Sequence, residues 1–278
     1  MMLTDVYFPH IGGIERHVHL LSLELVKRGH QVIVCTPEYQ GEPEYKEENG
    51  LKVYHIPALF VKVPFLHRNS EKLHPPLPDP ILSDRLKSII KNEKPDVIHA
   101  HGQIVFSVIP ILRNFDIPLV LTLHLYWAVC LMPQLYNGTT ACDAALNSRC
   151  VNCFRRLRGK GLFNTVKAGI IYFATETNRS RLRKSVSKFI AVSSYVKSVH
   201  LNRLDLNDTD ITTIPVFSTH NTSETLNMSK KIETPRKLPA DFILFVGRLV
   251  QEKGIDILID AYKKLNTGTK LVLIGAGH

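Results

Sequence analysis

Three groups of residues in this chain could do chemistry. Two adjacent glycines, Gly12 and Gly13, stand in "DVYFPHIGGIERHVHLLSLEL" between a short apolar start and a patterned helix. A backbone bare of side chains at a helix start can offer free N–H groups to a phosphate or a sugar oxygen. It can equally make a tight turn that needs positive φ. His99 and His101 in "PDVIHAH", and His124 in "VLTLH", close two apolar runs. Imidazoles there can donate to a phosphate or hydroxyl oxygen, exchange a proton near neutral pH, gather zinc, or cap strand ends. Arg248 and Lys253, in "FVGRLVQEKG", fall between a strand pattern and a helix pattern. Cations are unfavourable at a helix start without an anion, so the pair reads as a diphosphate clamp or as two solvated charges. Gly275, in "LIGAGH", offers a further bare rim.

A fourth group is structural in character. Cys130, Cys142, Cys150 and Cys153 follow the pattern C-x11-C-x7-C-x2-C. Such thiols can hold a structural zinc or an iron–sulfur cluster, stay free, or form two disulfides. Only the last pair has metal-like spacing. A zinc site at these four cysteines is carried forward as an expectation. Cys35 lies apart in an apolar run and reads as a buried hydrophobe.

The elements that must position these groups alternate. Met1–Thr4 with Val6–Phe8 reads as a first strand, Ile14–Arg28 as an amphipathic helix, and "HQVIVCTP" and "LKVYHIP" as strands. After a loop rich in Pro and His (64–80) come a helix at Leu82–Lys91, the strand "PDVIHAH", a helix at Gly102–Leu112 and the strand "PLVLTLH". Residues 130–153 look irregular. Basic helices follow, then "KFIAVS", a helix from Tyr195 to Arg203 capped by Ser193 or Ser194, and "ITTIP". Strands alternating with helices give a parallel α/β sheet, and such sheets bind ligands at the carboxyl ends of their strands. Three spans result. Residues 1–215 form a first domain, 216–240 a linker or crossover, and 241–278 the opening β-α-β unit of a second domain that looks unfinished.

Bulk properties narrow the classes. The chain has 278 residues, 44% apolar and 22% charged, an ordinary core-forming balance. Its net charge of +10 is uneven: Val151–Ile190 holds ten Lys or Arg against one acid, Glu176. That field suits an anionic membrane surface, a phosphorylated ligand or plain solvation. No nucleic acid partner is expected, since no RNA or zinc-finger motif accompanies the charge. No apolar run is long enough to cross a bilayer, and no signal-like leader is recognised. The expected location is cytoplasmic, peripheral on the cytoplasmic face of a membrane.

The segments "YFPHIGGIERHV", "PDVIHAHG", "VLTLH", "FIAVSSYVK" and "FVGRLVQEKG...LVLIGAG" occur in this order. As a set they resemble the GT-B glycosyltransferases, specifically glycosyltransferase family 4. The resemblance implies two Rossmann-like domains facing across a cleft, with the acceptor bound by the first and a nucleotide sugar by the second. It implies sugar transfer with retention of configuration, no organic cofactor and usually no metal. It places Gly12 and Gly13 near the donor phosphate, His124 at the donor sugar, and Arg248, Lys253 and Gly275 around the diphosphate. Glu15, His101 and Ser193 fall on the acceptor side. Two departures accompany it. The usual Pro-Asn-Gly-Val-Asp at the domain junction is replaced by "IPVFSTH", and the paired glutamates of the second domain are not reached. A non-catalytic nucleotide-sugar or carbohydrate-binding remnant is therefore the alternative to an enzyme.

Overall fold

The computed structural model of the chain describes residues 1–10, 12–63, 74–138, 140–217, 238–250, 253–265 and 267–277. Part of the Pro- and His-rich loop, most of the expected linker at 216–240, and His278 lie outside the described residues. The chain divides into two compact units, Met1–Thr219 and His220–His278.

The first unit is built on eight strands: β1 (Met2–Leu3), β2 (Val32–Pro37), β3 (Tyr45–Glu48), β4 (Leu51–Ile56), β5 (Ile98–Ala100), β6 (Leu119–Leu123), β7 (Lys188–Ala191) and β8 (Ile211–Thr213). Their order across the sheet is β3-β4-β2-β1-β5-β6-β7-β8. All neighbours are parallel except β3, which runs antiparallel at the edge. The parallel α/β architecture read from the sequence is present. The chain leaves β1 toward β2 on one side and returns to β5 on the other. That reversal makes a crevice at the carboxyl ends of β1 and β5, where ligands of such sheets sit.

The helices are α1 (Gly13–Lys27), α2 (Pro80–Glu93), α3 (Val105–Leu112), α4 (Arg149–Arg158), α5 (Leu162–Ser185) and α6 (Ser194–Leu204). Helix α2 is anchored at its start and along one face. Asp79 caps it, accepting from the N–H groups of Ile81 and Leu82, and Pro80 takes its first position. Its Leu82, Leu86 and Ile90 are fully buried, at about 1.5–3 kcal/mol each. Ser193 caps α6 by accepting from Val196 N–H at 3.2 Å. Helix α5 buries Ala168, Ile171, Ala174, Asn178 and Leu182 along one face.

Three local expectations change. The first strand is only Met2–Leu3, because Thr4 Oγ1 turns to donate to Val6 O at 2.9 Å and the chain leaves the sheet at Asp5. Strand β3, "YKEE", carries no apolar periodicity; backbone pairing with β4 alone makes it a strand. Helix α3 starts three residues after Gly102, since residues 102–104 form a turn held by Asp5.

The cysteine expectation is overturned. Cys150 and Cys153 lie on α4, while Cys130 and Cys142 belong to separate stretches before it. Among the described residues, the trio of metal-ligating side chains with ligand atoms within 4.8 Å of one another is His17, His101 and His124. The four thiols do not gather as a zinc site. A helical i,i+3 pair supplies two sulfurs, and Cys142 adds its charge to Cys153, but the group of ligand atoms that converges among the described residues is the histidine trio.

The second unit has one β-α-β step: β9 (Phe242–Val246), α7 (Ile255–Lys264) and β10 (Lys270–Ile274), with the strands parallel. Beyond the strands the backbones stay paired, Gly247 N–H to Ile274 O at 2.9 Å and Leu249 N–H to Ala276 O at 2.8 Å. A Cβ at Gly275 would fall on the Gly247 carbonyl, so this glycine permits the close approach.

Candidate functional site at the sheet switch point

The carboxyl ends of β1, β5 and β6 converge on one rim. Asp5 leaves β1 and spends its carboxylate on α3: Oδ2 accepts from Gln103 N–H at 2.9 Å and Oδ1 from Ile104 N–H at 2.6 Å. Gly102 makes this possible, because a Cβ there would lie 2.6 Å from the Asp5 carboxyl carbon. An acid at the start of α3 also complements its dipole.

Helix α1 enters the same rim. Gly12 precedes it with φ −152° and ψ −179°, an extended conformation and not the positive-φ turn that a glycine pair can signal. The space left by its missing side chain is taken by the Glu15 carboxylate, which is buried. Gly13 is exposed, and an added Cβ would meet nothing within 4 Å. The N-cap glycine has no side chain to accept from the first-turn N–H groups, and the Glu15 carboxylate of that turn lies beside it.

Four histidines pack where α1 meets β5 and β6. His101, just after β5, places Nδ1 at 3.1 Å from Nε2 of His124, just after β6. His17 of α1 lies against both, with ring centroids 5.7 Å from His101 and 5.1 Å from His124. Phe217 also packs on His17, with ring centroids 5.6 Å apart. His99, inside β5, lies against His101 with centroids 4.1 Å apart and ring planes tilted by 35°, and it hydrogen-bonds Thr122 Oγ1 at 2.7 Å.

Burial dominates the electrostatics. It pulls His124 down to about 3, with the neighbouring His17 and His99 adding to the effect. Burial and the same kind of neighbours pull His99 down to about 4. His101 is held well below the ordinary imidazole value and His17 is lowered by burial. The cluster is therefore neutral at pH 7. It can donate and accept hydrogen bonds but cannot bind an anion as a cation. His17 Nδ1 and His101 Nε2 are buried with no hydrogen-bond partner among the described residues. The trio is close enough to hold a divalent cation, although His101 and His124 already spend one nitrogen each on the other.

A second concavity opens beside the rim, about 640 Å³, lined by Asp5, Tyr7, His10, Glu38, Glu42 and Lys62 among others. Lys62 pairs with Glu38 at 3.1 Å. The Tyr7 hydroxyl is bonded to His19 at 2.8 Å, whereas Glu38 and Glu42, each paired with a lysine, keep acceptor lone pairs that suit hydroxyl groups.

In the second unit, Arg248 follows β9 and Lys253 directly precedes Gly254, the N-cap of α7; both side chains are exposed. Gly254 has φ 65°, a conformation that favours glycine.

The order of these elements and motifs matches a family model described as Glycosyltransferase Family 4 over residues 11–217. The chain belongs to glycosyltransferase family 4. A second model, Glycosyl transferases group 1, matches residues 229–278 of this family 4 chain. It is 25% identical over 282 residues to the phosphatidylinositol N-acetylglucosaminyltransferase gpi3 subunit of Schizosaccharomyces pombe, covering 99% of this chain and 50% of that protein. It is 30% identical over 102 residues to the phosphatidylinositol N-acetylglucosaminyltransferase GPI3 subunit of Saccharomyces cerevisiae, covering 36% of this chain and 21% of that one. Sucrose-phosphate synthase from Thermosynechococcus elongatus shares the fold, with TM-score 0.56 and 15% identity over 99% of this chain and 61% of its own. The fold is GT-B, with a Rossmann-like first domain and a smaller second one. This family 4 chain spans about half the length of the Schizosaccharomyces relative it matches.

Of the residues singled out in the sequence, the fold brings His101 and His124 into contact and sets Glu15 against Gly12. Ser193 serves α6 as its cap. Sequence reasoning missed His17, Asp5 and the Gly102 contact. The spacing of "IERHVH" could have placed His17 one turn after Gly13, on the same face of the helix.

Proposed function

We propose that the protein, in its full-length form, transfers a sugar from a nucleoside-diphosphate sugar to a hydroxyl group of an acceptor, with retention of configuration. The observation that carries this reading is the neutral His101–His124 pair packed against His17 of α1, at the switch point of a family 4 domain. A neutral imidazole can donate to or accept from sugar hydroxyls. Breaking the bond between sugar and diphosphate builds positive charge on the sugar and negative charge on the leaving group. In the second unit Arg248 and Lys253, beside the glycine-capped start of α7, are suited to offset that negative charge.

The acceptor we assign is a polyol or sugar borne on a lipid. The two yeast relatives carry phosphatidylinositol in their names, and the concavity beside the rim offers carboxylates to hydroxyls. No described helix is long and apolar enough to cross a membrane, so association at its surface is the form we assign. The test is release of nucleoside diphosphate from a panel of nucleotide sugars by the full-length protein, with and without inositol lipids. Arg248→Ala and Lys253→Ala should each lower kcat/KM for the donor by about tenfold to a hundredfold. Donor turnover unchanged in both variants would overturn the assignment.

A further inference from the structure

Helix α5 is apolar on two sides. One side packs into the first unit through Ala168, Ile171, Ala174 and Leu182. On another side Leu162, Phe163, Val166, Ile170 and Phe173 are 83%, 58%, 48%, 39% and 71% exposed. At 3.6 residues per turn these five fall within about 100° of arc, over about 18 Å of helix. Soluble surfaces rarely leave two phenylalanines and three aliphatic side chains in one continuous stripe without using them. An apolar notch lined by Pro75, Pro76, Leu77 and Ile170 continues the stripe onto the neighbouring loop.

The charge around the stripe is of one sign. Arg156, Arg158 and Lys160 are exposed at the turn where α4 gives way to α5, and Lys167 stands beside Val166 and Ile170. Arg181 and Lys184 are exposed on the final turns of α5. The single acid of the region, Glu176, is engaged with Arg179 at 3.2 Å. Arg156 bonds the neutral carbonyl of Asn137 and lies against the Cys153 thiol.

We infer that the α4–α5 face is an interfacial anchor: the stripe from Leu162 to Phe173 sinks into the headgroup–acyl boundary of an anionic membrane while Arg156, Arg158, Lys160 and Lys167 meet the lipid phosphates. An apolar stripe bordered by basic side chains is the pattern of a helix lying in a membrane surface. Helix α5 is too charged and too polar to cross a membrane. The inference does not depend on sugar transfer, because it is read without donor or acceptor.

The experiment is vesicle co-sedimentation of the full-length protein. It uses phosphatidylcholine alone, and phosphatidylcholine mixed with phosphatidylglycerol, across a range of salt. Binding is expected only to the mixed vesicles and should weaken as salt rises. The double variant Phe163→Ser/Phe173→Ser removes exposed side chains only, so its circular dichroism and melting should match the parent, while its vesicle affinity falls about tenfold or more. Arg158→Glu/Lys160→Glu should abolish the preference for anionic lipid. A Phe173→Trp variant should show a blue-shifted indole emission on mixed vesicles, quenched by brominated acyl chains; Trp127, the native indole, is buried. Equal vesicle affinity of the double variant and the parent would overturn the proposal, as would an indole that brominated lipid leaves unquenched. So would a stable dimer in solution that the double variant dissolves, since a second copy would then cover the stripe.

Discussion

His101 Nδ1 and His124 Nε2 lie 3.1 Å apart, joining the ends of two adjacent parallel strands through a bond between two neutral rings. One ring must donate and the other accept, so each fixes the tautomer of its neighbour. His101 is sealed in the interior and His124 is half-buried, which makes His124 the partner able to meet a ligand. Replacing His124 by Ala should lower kcat for sugar transfer by about a hundredfold or more, with a smaller change in KM. His101→Ala should act through the orientation of His124, and His101→Asn, which keeps a donor and an acceptor, should recover part of the loss. Steady-state kinetics on the three variants checks both statements. Equal losses for the Ala and Asn variants would remove the orienting role.

The same rings make stability depend on acid. His124 titrates at about 3 and His99 at about 4 in the fold, against about 6.5 in an unfolded chain. Buried His74 and His200, each held at about 4, act in the same direction. The unfolded chain binds the extra protons first, so stability is full above about pH 6.5 and declines as the pH falls toward 4. Urea midpoints should be lower at about pH 5 than at about pH 7.5, by the equivalent of about 1 kcal/mol or more. A flat profile over that range would show that the rings are not held neutral.

Gly12 and Gly13 separate packing from ligand approach. Gly13→Ala meets nothing within 4 Å and adds a better helix former, so thermal stability should hold or rise slightly. If a donor phosphate approaches this backbone, donor affinity should nonetheless fall about tenfold or more. Gly12→Ala instead displaces the Glu15 carboxylate, whose carboxyl carbon would sit 3.0 Å from the new methyl, and should disturb stability and activity together. Differential scanning fluorimetry beside nucleotide-sugar titration distinguishes the two.

Gly102→Ala should destabilise the first unit by about 1–3 kcal/mol, because the new methyl collides with the carboxylate that caps α3. Asp5→Ala removes the cap and should cost about 1–2 kcal/mol. In the double variant the collision has no target, so the two losses should fall short of additivity. Chemical denaturation of the three variants measures the coupling.

Much of this architecture was legible because parallel strands here are continuous apolar runs with helical patterns between them; β2, β6 and α1 fall close to where "VIVCTP", "LVLTL" and "IERHVHLLSLELVK" place them. Strand β3 was not legible, since "YKEE" owes its conformation to backbone pairing at an edge and not to any side-chain pattern. The rim histidines could be picked out because they terminate strands. His17 could not, because its role depends on how α1 lies across the sheet. The cysteines misled because close spacing in sequence was read as convergence in space, and α4 carries two of the thiols on its own helix. Asp5 fell between the two apolar pieces of the expected first strand and was given no role; its bonds reach residues 98 and 99 positions further on, beyond any local pattern.

Strand β1 is two residues long, yet it sits mid-sheet, paired on one side with Val34 and Cys35 and on the other with His99 and Ala100. During synthesis its β5 neighbour emerges about a hundred residues later than it does. The crevice therefore cannot close until that long loop of chain has been made and ordered, and loop closure of this kind raises the barrier to folding. A nascent chain halted before β5 would carry the glycine pair and α1 with no partner for one side of β1, which makes this region a natural client for chaperones while translation is under way.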